Sequence, residues 1–542
     1  MTEDTRQRAD APRPTDEPAT EIRGAFGTVR EDEGGRRPLR RRLLNLLAVV
    51  GPGIIVMVGD NDAGGVSTYA QAGQNYGLTL LWTLPLIIPV LIVNQEMVVR
   101  LGAVTGVGYT RLISERFGKR WARFSVAGLL VLNFLTIATE FAGITLALGY
   151  FGVSPYLSVP LSAAALIAMT TSGSFRRWER FMFVFVVANF LVIPLVVFAH
   201  PHLGPIVHGY THPAVLGGVN STALLFIIAV VGTTVAPWQL FFQQSNIVDK
   251  KITPRFVNYE RADTVLGSGV TVLAATLLIA STAFAFMGHP HLFGHFTDGL
   301  GVSRGLNATL GNGAGALFAI VLLNASIIGA AAVTLTTTYA VGDLFGMRSS
   351  LDRSFGEAKQ FYAFFTLLVV VAAGIVLIPH VNLGLFILAV QAFAGMLLPS
   401  TTIFALLLCN DREVLGPWVN RPWLNVLAGI VITVLLGLSM ILMLTTVDSQ
   451  VPTSVLGAIL VVFFLAGIVV GILLGRHSAI EERTLGPVGR QGREHWHMPA
   501  AALLAPMAMT RGRKAVLRGL MGYLVLSIVL LLAKAISLGL GH

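Results

Sequence analysis

Two aspartates stand directly after an apolar stretch, where a charged side chain is costly. The segment "LLNLLAVVGPGIIVMVG" leads into "DNDAGG", which contains Asp60, Asp62 and the adjacent glycines Gly64 and Gly65. An acidic residue at membrane depth indicates a function by default, because burying its charge in lipid is unfavourable. Carboxylate oxygens, together with carbonyl oxygens freed by a helix break, can replace the water shell of a cation. The segment therefore predicts a cation site at a broken helix.

The composition indicates what kind of molecule carries this site. The chain has 542 residues, of which 54% are hydrophobic and 12% charged, and its mean hydropathy is +0.73. Its apolar runs reach the roughly 20 residues that cross the hydrocarbon core of a bilayer as a helix. Strand-sized segments of alternating hydrophobicity are missing, which argues against a β-barrel. We therefore expect an all-α polytopic membrane protein.

Thirteen apolar runs are predicted to span the membrane. They lie near residues 43–76, 79–99, 124–148, 156–173, 181–199, 222–249, 264–287, 314–342, 361–379, 383–409, 423–446, 452–474 and 519–538. Apart from Arg304 and Lys534, all lysines and arginines lie in the connections on one side or in the N-terminal tail. The positive-inside rule makes this the cytoplasmic side, with the N-terminus inside and the C-terminus outside. Membrane topology thus accounts for the net charge of +10, and no nucleic-acid partner is expected.

Five sections follow from this pattern. The first, residues 1–42, is polar, proline-rich and ionised, and it predicts a disordered cytoplasmic tail. The others are a ten-helix core at 43–410 with repeats at 43–199 and 222–409, two additional spans at 411–474, a cytoplasmic linker at 475–518 and a final span at 519–542.

Two spans are interrupted at corresponding places in the two repeats. The first is predicted to break at Asp60–Gly65. The sixth is predicted to break within "VVGTTVAPWQLFFQQSN", because Pro237 lacks a backbone N–H and its ring clashes with the preceding turn. Paired discontinuous helices are typical of transporters built from inverted repeats, which bind substrate at mid-membrane between them. The expected fold is therefore an inverted five-helix repeat, similar to leucine transporters, with discontinuous helices 1 and 6.

The motifs at the breaks match a known pattern. "DAGGVSTYAQAGQNYG", starting at Asp62, is in register with a first span that reads Asp-Pro-Gly-Asn, then Gln-Ala-Gly and an aromatic-Gly pair. "RLGAVTG" fits the end of the second span, and "GTTVAPWQ" takes the place of Gly-Ala-Thr-x-Met-Pro-His-Asn in the sixth. In these motifs the chain resembles the natural resistance-associated macrophage protein (NRAMP) family of divalent-metal transporters. The register agrees over residues 45–410.

The resemblance implies a metal site with altered ligands. Asp62 takes the place of the family's metal-binding aspartate, but Gly65 replaces the binding asparagine and Ala236 replaces the binding methionine. Without the thioether the site is all oxygen, which suits hard cations. Loss of the asparagine side chain predicts a roomier cavity for an ion that keeps several waters. These differences resemble the NRAMP-related magnesium transporters, the branch that carries Mg²⁺ and Mn²⁺.

The residues that carry protons in the family are also changed. In the third span Glu140 is kept, but Ile137 stands where the family has an aspartate. In the sixth span Trp238 and Gln243 replace two histidines, and neither titrates near neutral pH. A proton relay needs a chain of titratable groups, so uncoupled transport is predicted. In the tenth span, Leu397 takes the position of a metal-facing glutamine.

The expected roles around the ion are as follows. Asp62 supplies the charge, the carbonyls of Ala63 and Thr233 supply oxygens, and the Thr234 hydroxyl and the Gln239 amide touch the ion or its waters. For Asp60 three roles remain open: holding a water of the ion, lining the access path, or capping the first half-helix. Glu140 either steers cations or is a hydrogen-bond partner in packing, and Gln391 is interpreted as a structural glutamine. Glu96 and Arg100, spaced i, i+4, predict a local salt bridge.

The sequence thus predicts uncoupled, alternating-access import of Mg²⁺ and Mn²⁺ across a bacterial cell membrane. Two alternatives are a proton-coupled Mn²⁺/Fe²⁺ symporter and, on the same fold, a sodium-coupled transporter of organic solutes. In the second alternative an aspartate at the break would repel a substrate carboxylate. No enzyme is expected, because no nucleophile–base set and no His-Glu-x-x-His motif occurs. Divalent cations and the lipid bilayer are the expected partners, without a resident cofactor or an obligatory protein partner.

Overall fold

Helices form almost all of the chain that the computed structural model describes. The described residues are 21–24, 27–30, 52–171, 174–347, 351, 356–448, 451–485, 493, 496–500, 504, 507 and 511–539. Within these ranges, ten helical spans are long and apolar enough to cross a membrane. The other three predicted spans correspond to the broken first helix, to the short apolar helix Pro155–Thr170 and to the helix Arg511–Gly539. The prediction of an all-α fold is confirmed.

The first five-span half begins with a broken helix, α1 (Pro52–Gly59) and α2 (Ala63–Tyr76). The following helices are α3 (Thr83–Thr105), α4 (Tyr109–Phe117), α5 (Lys119–Tyr150), α6 (Pro155–Thr170), α7 (Phe175–Ala188) and α8 (Val192–Ala199). The interruption covers only Asp60–Asp62, so the predicted break at 60–65 was too long. A 3₁₀ turn joins α7 to α8, and this span begins before the predicted residue 181.

The second half begins with the other broken helix, α10 (Ser221–Thr234) and α11 (Pro237–Asp249), after the connecting helix α9 (Leu203–Thr211). The following helices are α12 (Val257–Phe286), α13 (Gly299–Leu310), α14 (Asn312–Phe345), α15 (Lys359–Val376) and α16 (Leu383–Cys409). Pro237 is the first residue of α11, a position whose N–H makes no hydrogen bond within the helix, so its lack of an N–H costs no helical bond there. Both breaks therefore occur in the first span of a half, as predicted.

Beyond these ten spans, the described residues form four more α-helices. They are α17 (Arg412–Leu415), α18 (Pro422–Val447), α19 (Thr453–Leu485) and α20 (Arg511–Gly539). α19 extends past the predicted residue 474, and α20 starts before 519, so the segment between them is shorter than the predicted linker. Its described residues lie against the core: the Met498 amide donates to Val104 O (3.4 Å) and the Met507 amide to Arg116 O (2.9 Å).

Two short strands occur within the segment that was predicted to be disordered. β1 (Glu21–Gly24) pairs antiparallel with β2 (Gly27–Arg30), with Ile22 opposite Val29, and β1 lies beside α7. For these eight residues the structure differs from the prediction. An isolated hairpin is marginal in water, so the neighbouring helix supplies part of its stability. The rest of the predicted tail and the predicted core residues 43–51 lie outside the described residues.

The four half-helices lie at the centre of the core. They pack against α5, α12, α14 and α16. The approach of α10 to α16 requires glycine: a β-carbon on Gly232 would lie 2.0 Å from Gln391 O and 2.3 Å from Gly395 N. Because side chains are absent from this contact, the two backbones touch and hold the second break against α16.

A buried arginine joins several elements on the side that carries the basic connections. Arg100 Nη2 donates to Glu96 Oε2 at 2.9 Å, which confirms the predicted local pair. Glu96 also binds Arg261 of α12 at 2.6 Å. The Arg100 guanidinium also donates to the Trp418 carbonyl and to Asn420 Oδ1. This network ties α3 to α12 and to the chain that follows α17.

Candidate cation site between the broken helices

Asp62 caps the second half of the first broken helix. Its Oδ1 accepts the amide of Gly65 at 2.8 Å, and its extended backbone places it just before α2. A carboxylate at this position satisfies a free amide of the first turn and is stabilised by the positive end of the helix dipole. Asp62 is fully buried. The predicted ligand aspartate therefore has a structural partner for one of its oxygens.

Glu140 reaches the same helix end from α5. Its Oε2 accepts the amide of Ala63 at 3.0 Å, and its carboxylate adjoins that of Asp62. The other oxygen, Oε1, is buried without a partner. Of the two roles left open for Glu140, the structure supports the hydrogen-bond partner, and it places the residue inside the site.

A glycine on α14 makes this arrangement possible. A β-carbon on Gly329 would lie 2.4 Å from Glu140 Oε2 and 2.8 Å from Asp62 Cβ. Sequence reasoning missed Gly329, because no local motif marks a glycine that receives side chains from two distant helices. The two acidic side chains therefore both pack against the backbone of α14 at Gly329.

Asp60 differs from both of these residues. It is fully buried, and neither carboxylate oxygen has a hydrogen-bond partner. Its side chain does not cap the first half-helix, one of its three predicted roles, because neither oxygen has a partner and a negative charge is unfavourable at the carbonyl end of α1. The side chain instead presents two unpaired oxygens at the break.

The second break leaves further oxygens unpaired. The residue four positions after Thr233 is Pro237, which has no N–H, and no other described group donates to the Thr233 carbonyl. The Thr233 hydroxyl is also buried without a partner. The predicted carbonyl ligand of the sixth span is therefore free to bind.

Two other predicted ligands of the sixth span are engaged elsewhere. Thr234 Oγ1 donates to Val230 O at 2.5 Å and lies 2.7 Å from the Tyr69 hydroxyl. The Gln239 amide accepts from Gln95 Nε2 at 3.1 Å and donates to the Thr234 carbonyl at 3.4 Å. In this structure both side chains form hydrogen bonds that hold the break together. Tyr69 and Gln95, which sequence reasoning missed, complete these contacts.

The positions that differ from the family pattern are closely packed. A β-carbon on Gly65 would lie 2.6 Å from Asp60 O and 3.3 Å from Thr233 Oγ1. The expectation of a roomier cavity at Gly65 is therefore wrong, because the Asp60 backbone occupies that space. Ala236 is buried at the second break and offers only a methyl group. Ala63 lies in the first turn of α2, where helical geometry engages its carbonyl with an amide of the next turn.

Gln391 of α16, interpreted from the sequence as a structural glutamine, lies next to the first break. A β-carbon on Gly64 would lie 1.7 Å from Gln391 Nε2, so the amide covers the first turn of α2. Gln391 Nε2 is buried without a partner. Leu397, at the position of the family's metal-facing glutamine, is buried and apolar. Gln391, six residues before Leu397 on the same helix, therefore brings a glutamine to the break from about 1.7 turns earlier.

The unpaired oxygens define the chemistry that the site can perform. They belong to the Asp60 carboxylate, the Glu140 Oε1 atom and the Thr233 carbonyl and hydroxyl. In the described part of the chain, no three His, Cys, Asp or Glu side chains form a group that could hold a metal ion. A cation would therefore be held by carboxylate together with neutral oxygens, a donor set that suits hard divalent ions.

Comparison with known proteins identifies the fold family. The family model described as "Natural resistance-associated macrophage protein-like" matches residues 53–445. The chain belongs to this family. The divalent metal cation transporter MntH of Levilactobacillus brevis is 25% identical over 420 residues, covering 74% of this chain and 90% of the relative. MntH of Verminephrobacter eiseniae is 27% identical over 435 residues, covering 76% and 92%.

A solved transporter structure shares the fold. The manganese transporter of Eremococcus coleocola superposes with a TM-score of 0.57 at 19% identity, covering 83% of this chain and 97% of that structure. This chain is accordingly a multi-pass membrane protein, and its curated relatives are named as transporters and not as enzymes. Gly65 and Ala236, at the two breaks, are among the positions where this chain departs from the family motif.

Proposed function

We propose that this NRAMP protein carries divalent metal cations across the bacterial cell membrane by alternating access. The observation that carries the proposal is the Asp60 carboxylate, fully buried with both oxygens unpaired, at a helix break that also exposes the Thr233 carbonyl. An unpaired buried carboxylate is strongly unfavourable unless a cation or a proton compensates it. The bacterial relatives named as divalent metal cation transporters support the same substrate class.

Mg²⁺ and Mn²⁺ are the proposed substrates. The donors at the breaks are carboxylate, carbonyl, hydroxyl and amide groups, and Ala236 offers no sulfur. Hard oxygen donors suit these two ions, whereas a thioether would favour softer transition metals. Asp62 supplies charge, held in place by its cap on α2, and Asp60 adds a second carboxylate. Glu140 positions Asp62 and the first turn of α2.

Uncoupled transport is the proposed mechanism. Trp238 and Gln243 stand in place of the family's histidines, Ile137 replaces its aspartate, and all three are buried. None of these three side chains titrates near neutral pH, so the family's proton relay is interrupted at these positions. The proposed orientation puts the basic connections and the N-terminus in the cytoplasm and the C-terminus outside.

The adjoining carboxylates of Asp62 and Glu140 favour the second candidate, a proton-coupled Mn²⁺ symporter, because such a pair can share a proton.

The deciding experiment measures Mg²⁺ and Mn²⁺ influx into liposomes that contain the purified protein and a luminal pH dye. We expect influx of both ions without acidification, and its loss in Asp62→Ala. Asp298→Ala is a matched control, because Asp298 Oδ1 caps α13 by accepting the Gly301 amide at the same distance, 2.8 Å. Mn²⁺ influx with acidification and without Mg²⁺ flux would establish the proton-coupled alternative. Absence of any divalent flux in the wild type would overturn the proposed function.

A further inference from the structure

Two buried polar stripes run from the breaks toward the basic connections. Gln239, Gln243 and Asn246 of α11 and Lys250, the residue that caps its end, recur at spacings of four, three and four residues, so they share one face. All four are buried. Both amide atoms of Gln243 and both of Asn246 lack any hydrogen-bond partner. Unpaired amides in a protein interior are unfavourable unless they bind water or an ion.

The second stripe lies on α12. Glu260, Thr264, Ser268 and Thr271 recur at spacings of four, four and three residues and are buried. The hydroxyls of Ser268 and Thr271 contact Met57 of α1, one turn before Asp60. Thr264 Oγ1 has no partner. This stripe therefore leads from the first break along α12, beside α1.

The two stripes converge on a buried cluster of charges. Lys250 Nζ binds Glu179 Oε1 of α7 at 2.9 Å, and neither side chain is accessible to solvent. Glu260 lies in the electrostatic field of Lys250, Glu179 and Asp263, but neither of its own oxygens accepts a hydrogen bond. α1 contacts α7, α11 and α12, the three helices that carry this cluster. α1 therefore packs against both helices that carry the stripes.

We propose that Glu260 is a second, transient binding position for the hydrated divalent cation, on its route between the breaks and the basic side, and that Lys250 compensates its charge while the route is closed. This inference rests on the proposed function. An unpaired buried carboxylate attracts a cation that enters the opened route, and the unpaired amides of Gln243 and Asn246 replace part of its water shell. The positive charge of Lys250 keeps cation binding at Glu260 weak, because transport requires that a bound ion can leave.

The test compares Glu260→Gln with the wild type in the liposome assay. The substitution keeps the size of the side chain and removes its charge. We expect the maximal Mn²⁺ flux to fall about tenfold, since a charge on the route is lost, while Mn²⁺ affinity in detergent, measured by calorimetry, stays within about twofold. Glu115→Gln, an exposed glutamate on α4, is the control for the same change and should keep the wild-type flux. Wild-type flux in Glu260→Gln would overturn the inference and leave the proposed function intact.

A second readout does not depend on transport. Cys409, the one cysteine of the sequence, is first replaced by alanine. Asn246→Cys in this background is then labelled from the basic side with two thiol reagents, one cationic and one anionic. We expect the cationic reagent to react about tenfold faster than the anionic one, Mn²⁺ to slow that reaction, and Glu260→Gln to abolish the preference. Equal reaction of both reagents would overturn the inference. Loss of divalent flux in the wild type would instead overturn the proposed function.

Discussion

Asp62 and Glu140 divide the free amides at the start of α2 between them. Asp62 Oδ1 accepts the amide of Gly65 at 2.8 Å, and Glu140 Oε2 accepts that of Ala63 at 3.0 Å. Two adjoining carboxylates in a protein interior repel each other, and the helix N-terminus offsets part of that repulsion. The pair therefore brings carboxylate oxygens together at the break, where they can bind a divalent cation or share a proton.

Gly329→Ala tests whether this contact is needed. The added methyl would lie 2.4 Å from Glu140 Oε2, so Glu140 or α14 must shift. We expect divalent flux to be lost and the stability of the purified protein to fall by about 1–3 kcal/mol, the usual cost of overpacking. Gly374→Ala on α15 is the control, because a β-carbon there meets nothing within 4 Å. If Gly329→Ala transported and melted like that control, the close packing of the carboxylates would be unimportant.

Asp60→Asn separates function from stability. The amide has the same shape, so the substitution removes only a buried, unpaired charge. We expect Mn²⁺ affinity to fall at least about tenfold, or ~1.4 kcal/mol, because a ligand charge is lost. Thermal stability of the metal-free protein should rise, because an uncompensated buried carboxylate is strongly unfavourable. Calorimetric titration and thermal unfolding of the same sample measure both quantities. Unchanged affinity would remove Asp60 from the site.

The position of the breaks was predictable, because the signals are local. Pro237 lacks an N–H, and Asp60 and Asp62 are charges within an apolar context. The end of the first break was predicted three residues too late. Asp62 is a preferred residue type before a helix, and this signal would have placed the start of α2 at Ala63.

The partners of the site residues could not be predicted in the same way. Glu140 and Ala63 are 77 residues apart, and Gln95 and Gln239 are 144 apart. Such contacts depend on how whole helices pack, and one sequence contains no local pattern for them. For this reason Gln239 was predicted to touch the ion, although Gln95 occupies its oxygen.

Gly65→Asn tests the close approach at the first break. The family's asparagine would bring a β-carbon to 2.6 Å from the Asp60 carbonyl. We expect the variant to lose Mg²⁺ and Mn²⁺ flux together and to purify in lower yield, because backbone cannot move as easily as a flexible side chain. Gly128→Ala on α5, where a β-carbon meets nothing within 4 Å, should behave as wild type. Retained flux in Gly65→Asn would show that α1 and α2 adjust readily.

Ala236→Met tests the assignment of an all-oxygen site. Ala236 lies between α10 and α11, and the substitution would place a thioether at the break. Sulfur favours soft cations, so we expect the ratio of Cd²⁺ to Mg²⁺ flux to rise by about tenfold. Ala236→Leu is the matched control, because it adds similar volume without sulfur. If both variants changed the ratio equally, side-chain volume and not ligand chemistry would set the selectivity. If neither changed it, position 236 would not face the ion, and the hard-ion preference would have to come from Asp60 and Thr233 alone.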